Sequence, residues 1–168
     1  MTKARGAPIT VRRATLADLA TVLELRLALL REHGDNRVYK RLRADAEERA
    51  ERLYSAQLQA TGEAIFLAER GREVVGILRC VQTAGSPLLT PSQYGYVSSA
   101  YVRPSARRAG VLHLLLAAAE AWCAERGLTE LRLHNAADNE TANAAWEAMG
   151  FEIVEHMRVR DISRREGE

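Results

Sequence analysis

A chain of 168 residues, 47% hydrophobic and 27% charged, has the balance of one ordinary globular domain, long enough to bury its own core. No apolar run approaches the ~20 residues that cross a bilayer, and residues 1–10 carry no apolar stretch of the signal-peptide kind, so a cytoplasmic protein without membrane attachment is expected. A formal charge of +2, with acids and bases mixed along the chain and no aromatic-plus-basic stacking platform, argues against a nucleic-acid partner. Cys80 and Cys123 lie far apart, outside any CxxC or Cys/His cluster, so neither a disulfide framework nor a metal site is expected. Lys3 and Lys40 are the only lysines among many arginines and alanines, a pattern of GC-rich coding that concerns the genome and not the activity.

The first apolar alternation, Ile9 to Ala14, predicts a strand. Thr15 then offers an N-cap with Asp18 close behind it, near the positive end of a helix dipole. Leu19, Val22, Leu23, Leu27 and Leu30 follow at helical spacing, and His33-Gly34 stops the run. A second helix is predicted from about Asp45 to Ala60, with Ala46, Ala50, Leu53 and Leu58 on one side and Gly62 after its end.

Ala64–Glu69 and Glu73–Val81 are apolar segments around Arg70-Gly71-Arg72, the pattern of a hairpin. A loop with Gly85, Pro87 and Pro91 leads to a third strand over Tyr94–Val102, ended by Pro104. Gly110–Arg126 is helical again, with Leu112, Leu115, Leu116, Ala119, Trp122 and Cys123 on one face. Then come a short strand at Leu131–Asn135, a helix at Asn139–Met149 closed by Gly150, and a final strand over Phe151–Arg160. The order β-α-α-β-β-β-α-β-α-β predicts an α/β protein, a mixed sheet with helices on both faces. Nothing marks a repeat, a linker or a boundary, so residues 1–168 read as a single domain with an ordered core of about 9–160 and short frayed ends.

The chemistry concentrates at the segment Tyr101 to Leu112, a strand end, a tight basic turn and a helix start. Free backbone N–H groups at a helix N-terminus, with the macrodipole behind them, form an anion site. Arg107 and Arg108 add charge-assisted bonds to phosphate oxygens. Gly110 lets the backbone approach a pyrophosphate where a Cβ would intrude. Taken alone, such a turn is equally a solvated surface turn with two arginines.

The turn resembles the coenzyme-A loop of the GNAT (GCN5-related N-acetyltransferase) superfamily, whose pattern is Arg/Gln-x-x-Gly-x-Gly/Ala between a strand and a helix. Arg107, Gly110 and Leu112 hold the three defining positions, the leucine departing from the usual small residue. Further on, Asn139, Ala142, Gly150 and Phe151 match the family's Asn-x-x-Ala-x-x-x-Tyr-x-x-x-Gly-Phe, with Trp146 in place of the tyrosine. The resemblance spans Ile9 to Arg160, its first half by element order alone.

It implies the GNAT acyl-CoA N-acyltransferase fold, with a mixed and mostly antiparallel sheet, and acetyl-CoA as cofactor and acyl donor. The acceptor it implies is a primary amine of a small molecule, amino acid or peptide. In that fold two central parallel strands, here Tyr94–Val102 and Leu131–Asn135, part to admit the pantetheine arm. Backbone near Tyr101 and Val102 then pairs with its amides, and Arg107, Arg108, Ala109, Gly110, Val111 and Leu112 wrap the pyrophosphate. Asn139 and Trp146 complete the implied coenzyme contacts, Trp146 as a packing residue. Family members often pair as homodimers, which carries over as an expectation.

Acyl transfer asks that a protonated amine lose its proton and that the departing thiolate be helped by a donor. The family's tyrosine donor is replaced by Trp146, whose indole N–H does not ionise at neutral pH. The strand before the loop, Tyr96-Val97-Ser98-Ser99-Ala100, contains no carboxylate to act as base. Branches resembling ribosomal-protein N-terminal acetyltransferases carry a glutamate at the position held here by His134. A histidine takes up protons near neutrality, so His134 is the candidate base, against a structural histidine at a strand end. Because its neighbours Leu131 and Leu133 are apolar, His134 is expected on the opposite face. Tyr94, Tyr96 and Tyr101 read first as strand packing residues, His33 as a helix-end residue, His113 as exposed, and His156 as a lesser candidate for the acceptor side. The alternative function is an acyl-CoA-binding domain with weak or lost catalysis, suggested by Trp146 and the acid-free strand.

Overall fold

A computed structural model describes residues 6–162; residues 1–5 and 163–168, and with them most of the expected frayed ends, lie outside the described residues. The opening alternation forms strand β1 at Ile9–Arg13. A 3-10 turn at Leu16–Asp18 follows, where the Asp18 carboxylate accepts the Thr15 backbone N–H at 2.8 Å and two bonds from Arg12 at 2.8 Å each. Helices α1 (Leu19–Glu32) and α2 (Ala46–Gln59) come next, then strands β2 (Glu63–Arg70) and β3 (Glu73–Ala84) around a turn in which Gly71 adopts φ +66°. Strand β4 (Gln93–Val102), a 3-10 turn at Pro104–Ala106, helix α3 (Val111–Glu125) and strand β5 (Leu131–Leu133) complete a first unit ending at His134. No helix among the described residues is long and apolar enough to cross a membrane.

The five strands pair in sequence order; β1 to β4 are antiparallel, and β5 lies parallel to β4. The sheet is thus mixed and mostly antiparallel. Period-two alternation sends successive side chains to opposite faces. Phe66, Leu78, Cys80 and Val97 meet Leu115, Ala119 and Trp122 of α3 on one face, while Ile65, Leu67 and Ile77 meet Val22, Leu25 and Tyr54 of α1 and α2 on the other. Each fully buried leucine or isoleucine here contributes about 1.5–3 kcal/mol of transfer free energy.

Two helix faces differ from the sequence pattern. In α2 the buried residues are Ala50 and Tyr54, and Leu53 is 52% exposed. In α1 the charged Arg26 is buried: its guanidinium lies 3.9 Å from the Tyr54 ring centre and donates to Gln57 Oε1. Burial holds that guanidinium below the ordinary arginine range, at about 10. Tyr54 is the reason Leu53 gives way, because the ring that covers the arginine takes the inward position.

The second unit begins at Asn135 and contains helix α4 (Glu140–Ala148). Gly150, at φ +88°, turns the chain out of the helix, and Phe151 N–H donates to the Trp146 carbonyl at 3.0 Å. The strand expected over Phe151–Arg160 is not formed: among the described residues, 151–162 enter no ladder, and Ile153, Val154 and Met157 are exposed. Alternation specifies two faces, but a strand also needs a partner edge to complete its backbone bonds.

Candidate active site

Pairing between β4 and β5 covers only Gly95–Val97 against Leu131–Leu133. β4 then runs on through Ser98 to Val102 without β5 beside it, so the two parallel strands part at Ser98. A bulge marks the same point, because Arg79 faces Ser99 while its neighbour Cys80 faces Val97, leaving Ser98 as the extra residue. Arg79 fixes this bulge: it donates to Ser98 Oγ at 2.7 Å and forms an ion pair with Glu63. Below the bulge the sheet is tight. A Cβ on Gly95 would lie 2.5 Å from Cys123 Sγ and 2.7 Å from Leu131 Cδ2, so the absence of a side chain lets α3 and β5 close on β4.

The turn after β4 curls through two left-handed residues, Arg108 at φ +61° and Gly110 at φ +75°. Left-handed backbone costs a residue with a Cβ roughly 1–2 kcal/mol, and such concavities of N–H groups are anion sites. Among the described residues the N–H groups of Arg108, Ala109 and Gly110 find no acceptor, and those of Val111, Leu112 and His113 open the first turn of α3. Apart from its chain neighbours, no atom of the described residues lies within 4 Å of where a Gly110 Cβ would stand, so the concavity is open on that side. These groups fit a pyrophosphate. Val111 is buried and Leu112 packs on the α3-side core, so both offer the turn their backbone and not their side chains.

The two arginines of the turn differ. Arg107 donates through Nη2 to both Glu32 oxygens at 2.6 and 2.9 Å and through Nε to the Val102 carbonyl at 3.0 Å. Its fork is therefore engaged with the end of α1. Arg108 is exposed and makes no side-chain bond among the described residues, which leaves it as the arginine available to a phosphate. Tyr101 packs its ring on the α1–α2 side of the sheet, and Val102 on the α3 side.

His134 stands just past β5, exposed, and shares a 2.8 Å hydrogen bond through Nδ1 with the hydroxyl of Tyr96, the rings 5.6 Å apart. Leu131 and Leu133 face the α3 side, so the pair lies on the α1–α2 face of the sheet. Partial burial, helped by the neighbouring hydroxyls of Tyr39 and Tyr94, raises the Tyr96 phenol above its ordinary value and keeps it protonated at neutral pH. Sequence alone does not disclose this partnership, because it depends on the parallel register of β4 and β5; its local signal is a tyrosine two residues before the carboxylate-free bulge. Arg132 lies 3.9 Å from the Tyr94 ring centre.

The remaining candidates have other positions. His33 follows α1 as its C-cap and stacks on Tyr39 at 5.9 Å, His113 is exposed on α3, and His156 is exposed in the irregular segment after α4. In the second unit Asn139 is the N-cap of α4, its Oδ1 accepting the Ala142 N–H at 3.0 Å. Trp146 is buried and meets Phe151 edge to face at 5.4 Å. The motif residues of α4 thus cap the helix, pack against its exit and turn the chain. Burial pushes both cysteine thiols up, Cys80 to about 12, so neither serves as a nucleophile.

The model of the Acetyltransferase (GNAT) family matches residues 23–151. The chain belongs to this family. It is 31% identical over 152 residues to an aminoglycoside N(6′)-acetyltransferase type 1 of Stenotrophomonas maltophilia, covering 88% of this chain and 89% of the relative. Its fold is similar to AAC(6′)-Iy in complex with a bisubstrate analogue of CoA and acetylneamine, with a TM-score of 0.75 and 22% identity over 94% of this chain and 99% of that one. A GCN5-related N-acetyltransferase from Ralstonia eutropha gives a TM-score of 0.75 at 23% identity, over 92% and 99% of the two chains. The protein is an acetyl-CoA-dependent N-acetyltransferase that acts on amines.

Proposed function

We propose that the acceptor is the 6′-amine of an aminoglycoside and that His134 removes its proton. The observation that carries the acceptor class is the 31% identity, sustained over 152 residues, to an aminoglycoside N(6′)-acetyltransferase.

Acetyl-CoA supplies the acetyl group as a thioester: when the amine bonds to its carbonyl carbon, the C–S bond breaks, the electron pair leaves on sulfur, and the remaining surplus proton of the nitrogen passes to the departing thiolate through water. The chain's own residues do the rest. The N–H groups of residues 108–113 and the Arg108 side chain bind the pyrophosphate, and the open edge of β4 at Tyr101 and Val102 aligns the pantetheine arm. The Ser98 bulge, where the ladder with β5 ends, would offer backbone N–H to the charge that develops on the carbonyl oxygen. His134, at the point where β4 and β5 part, takes the ammonium proton.

A panel of aminoglycosides, amino acids and peptides, read by release of free thiol from acetyl-CoA, tests the acceptor class. Turnover confined to aminoglycosides with a free 6′-amine is expected. Turnover of peptides or amino acids with none of aminoglycosides would overturn it.

A further inference from the structure

We infer that Tyr96 is a second member of the proton path, standing between the acceptor amine and His134. This rests on the reading of His134 as proton acceptor and adds the group that reaches it. The pair is built by the fold. Gly95 seats β5 tightly against β4, the parallel register brings His134 beside the β4 side chains, and the hydroxyl meets Nδ1 at 2.8 Å. The geometry is directional: Nδ1 is occupied by the phenol, while Nε2 makes no bond among the described residues and the side chain is exposed. Solvent therefore reaches the far side of the ring, and an amine can reach Nδ1 only through the hydroxyl.

A phenol in this position works in both directions. It accepts the ammonium proton on its oxygen as its own proton passes to Nδ1, so Tyr96 ends as it began. The amine is left with a free electron pair, and His134 is left as an imidazolium. The imidazolium then loses its proton to water, which its exposure permits. No charge remains on Tyr96 at any stage, which suits a hydroxyl whose surroundings disfavour the phenolate. The titratable and charged neighbours of the pair are Tyr94 on the same strand, Tyr39 from the segment between α1 and α2, His33 stacked on Tyr39, and Arg132 over the Tyr94 ring.

Two measurements test this. In the free protein, imidazole nitrogen NMR should find neutral His134 with its proton on Nε2 and Nδ1 accepting, and Tyr96→Phe should abolish that preference. A proton resident on Nδ1 in the unmodified protein would overturn the relay whatever the acceptor is. In steady-state assays with acetyl-CoA and neamine, Tyr96→Phe and His134→Ala should each lower kcat about 10²-fold. Their combination should fall no further, and any rise of rate with pH measured for the parent should flatten in both. A Tyr96→Phe variant that keeps the parent's rate and pH profile while His134→Ala loses them removes Tyr96 and leaves His134 standing. Loss in neither variant removes both. Binding of CoA to each variant, read by calorimetry, should stay at the parent's value.

Discussion

Arg107 of the turn after β4 and Glu32 at the end of α1 are joined by two hydrogen bonds, so the turn proposed to receive the coenzyme is braced against α1. An exposed pair of this kind contributes no more than ~1 kcal/mol; on the proposed reading it still ties Arg107 to α1 and leaves Arg108 as the main partner of a phosphate. Arg108→Ala should therefore weaken CoA binding about tenfold, the loss of one charge-assisted bond. Arg107→Ala should weaken it less, by a few-fold, through a looser turn. Glu32→Ala should reproduce the Arg107→Ala loss, and the double variant should add nothing to it. Calorimetric titration with CoA decides; a larger loss at Arg107 than at Arg108 would return Arg107 to the phosphates.

Gly110 should tolerate no side chain, though nothing crowds it. Its φ of +75° puts Gly110→Ala in left-handed backbone while the new methyl, its chain neighbours apart, meets no atom of the described residues within 4 Å. The expected cost is about 1–2 kcal/mol from backbone alone, a fall in Tm of roughly 2–4 °C per kcal/mol for a chain of this size. CoA should bind more weakly still, since the methyl enters the open side of the turn. A variant that melts lower yet binds CoA as the parent does would place the pyrophosphate elsewhere.

The parts of the molecule that the sequence disclosed are those decided within one element. The apolar stripe of α3, the turn with Gly110 at its end and the strand alternation of β1 follow from local periodicity and backbone chemistry. What stayed hidden depends on two elements meeting. Arg107 looked free until α1 set Glu32 beside it, and Tyr96 looked like strand packing until the parallel register supplied His134. Arg26 sits at a helical position that spacing cannot distinguish from a solvated one; only Tyr54 and Gln57 on α2 make its burial tolerable. Residues 151–160 alternate as a strand should and still form none, because periodicity carries no information about an available edge.

Stability should fall in acid through Asp18. Arg12, which donates two bonds to it, and the Thr15 N–H hold the Asp18 carboxyl well below the usual carboxylate range, at about 2. A depressed folded-state value means the contribution is present in full above the unfolded value near 3.9 and is lost as pH falls towards 2. Urea midpoints at pH 6 and pH 3 should differ more for the parent than for Asp18→Asn, which has already lost the ion pair. Equal acid sensitivity in the two would show that other carboxylates carry the effect.

Gly95 should be the most sensitive single position for the Tyr96–His134 pair without belonging to it. A methyl there would lie 2.5 Å from Cys123 Sγ and 2.7 Å from Leu131 Cδ2, so either α3 or β5 has to withdraw. Overpacking of this kind costs about 1–3 kcal/mol, and withdrawal of β5 lengthens the 2.8 Å bond between Tyr96 and His134. Gly95→Ala should thus lower both Tm and kcat. Adding Cys123→Ala removes the nearer of the two clashing atoms and lets α3 accept the methyl, while Leu131 still crowds it. The double variant should therefore regain part of the Tm and a larger part of kcat if the helix had been forcing the strand outward. Recovery of Tm with no recovery of kcat would mean that β5 is displaced by Leu131 alone, and the same experiment with Leu131→Ala in place of Cys123→Ala should then restore the rate.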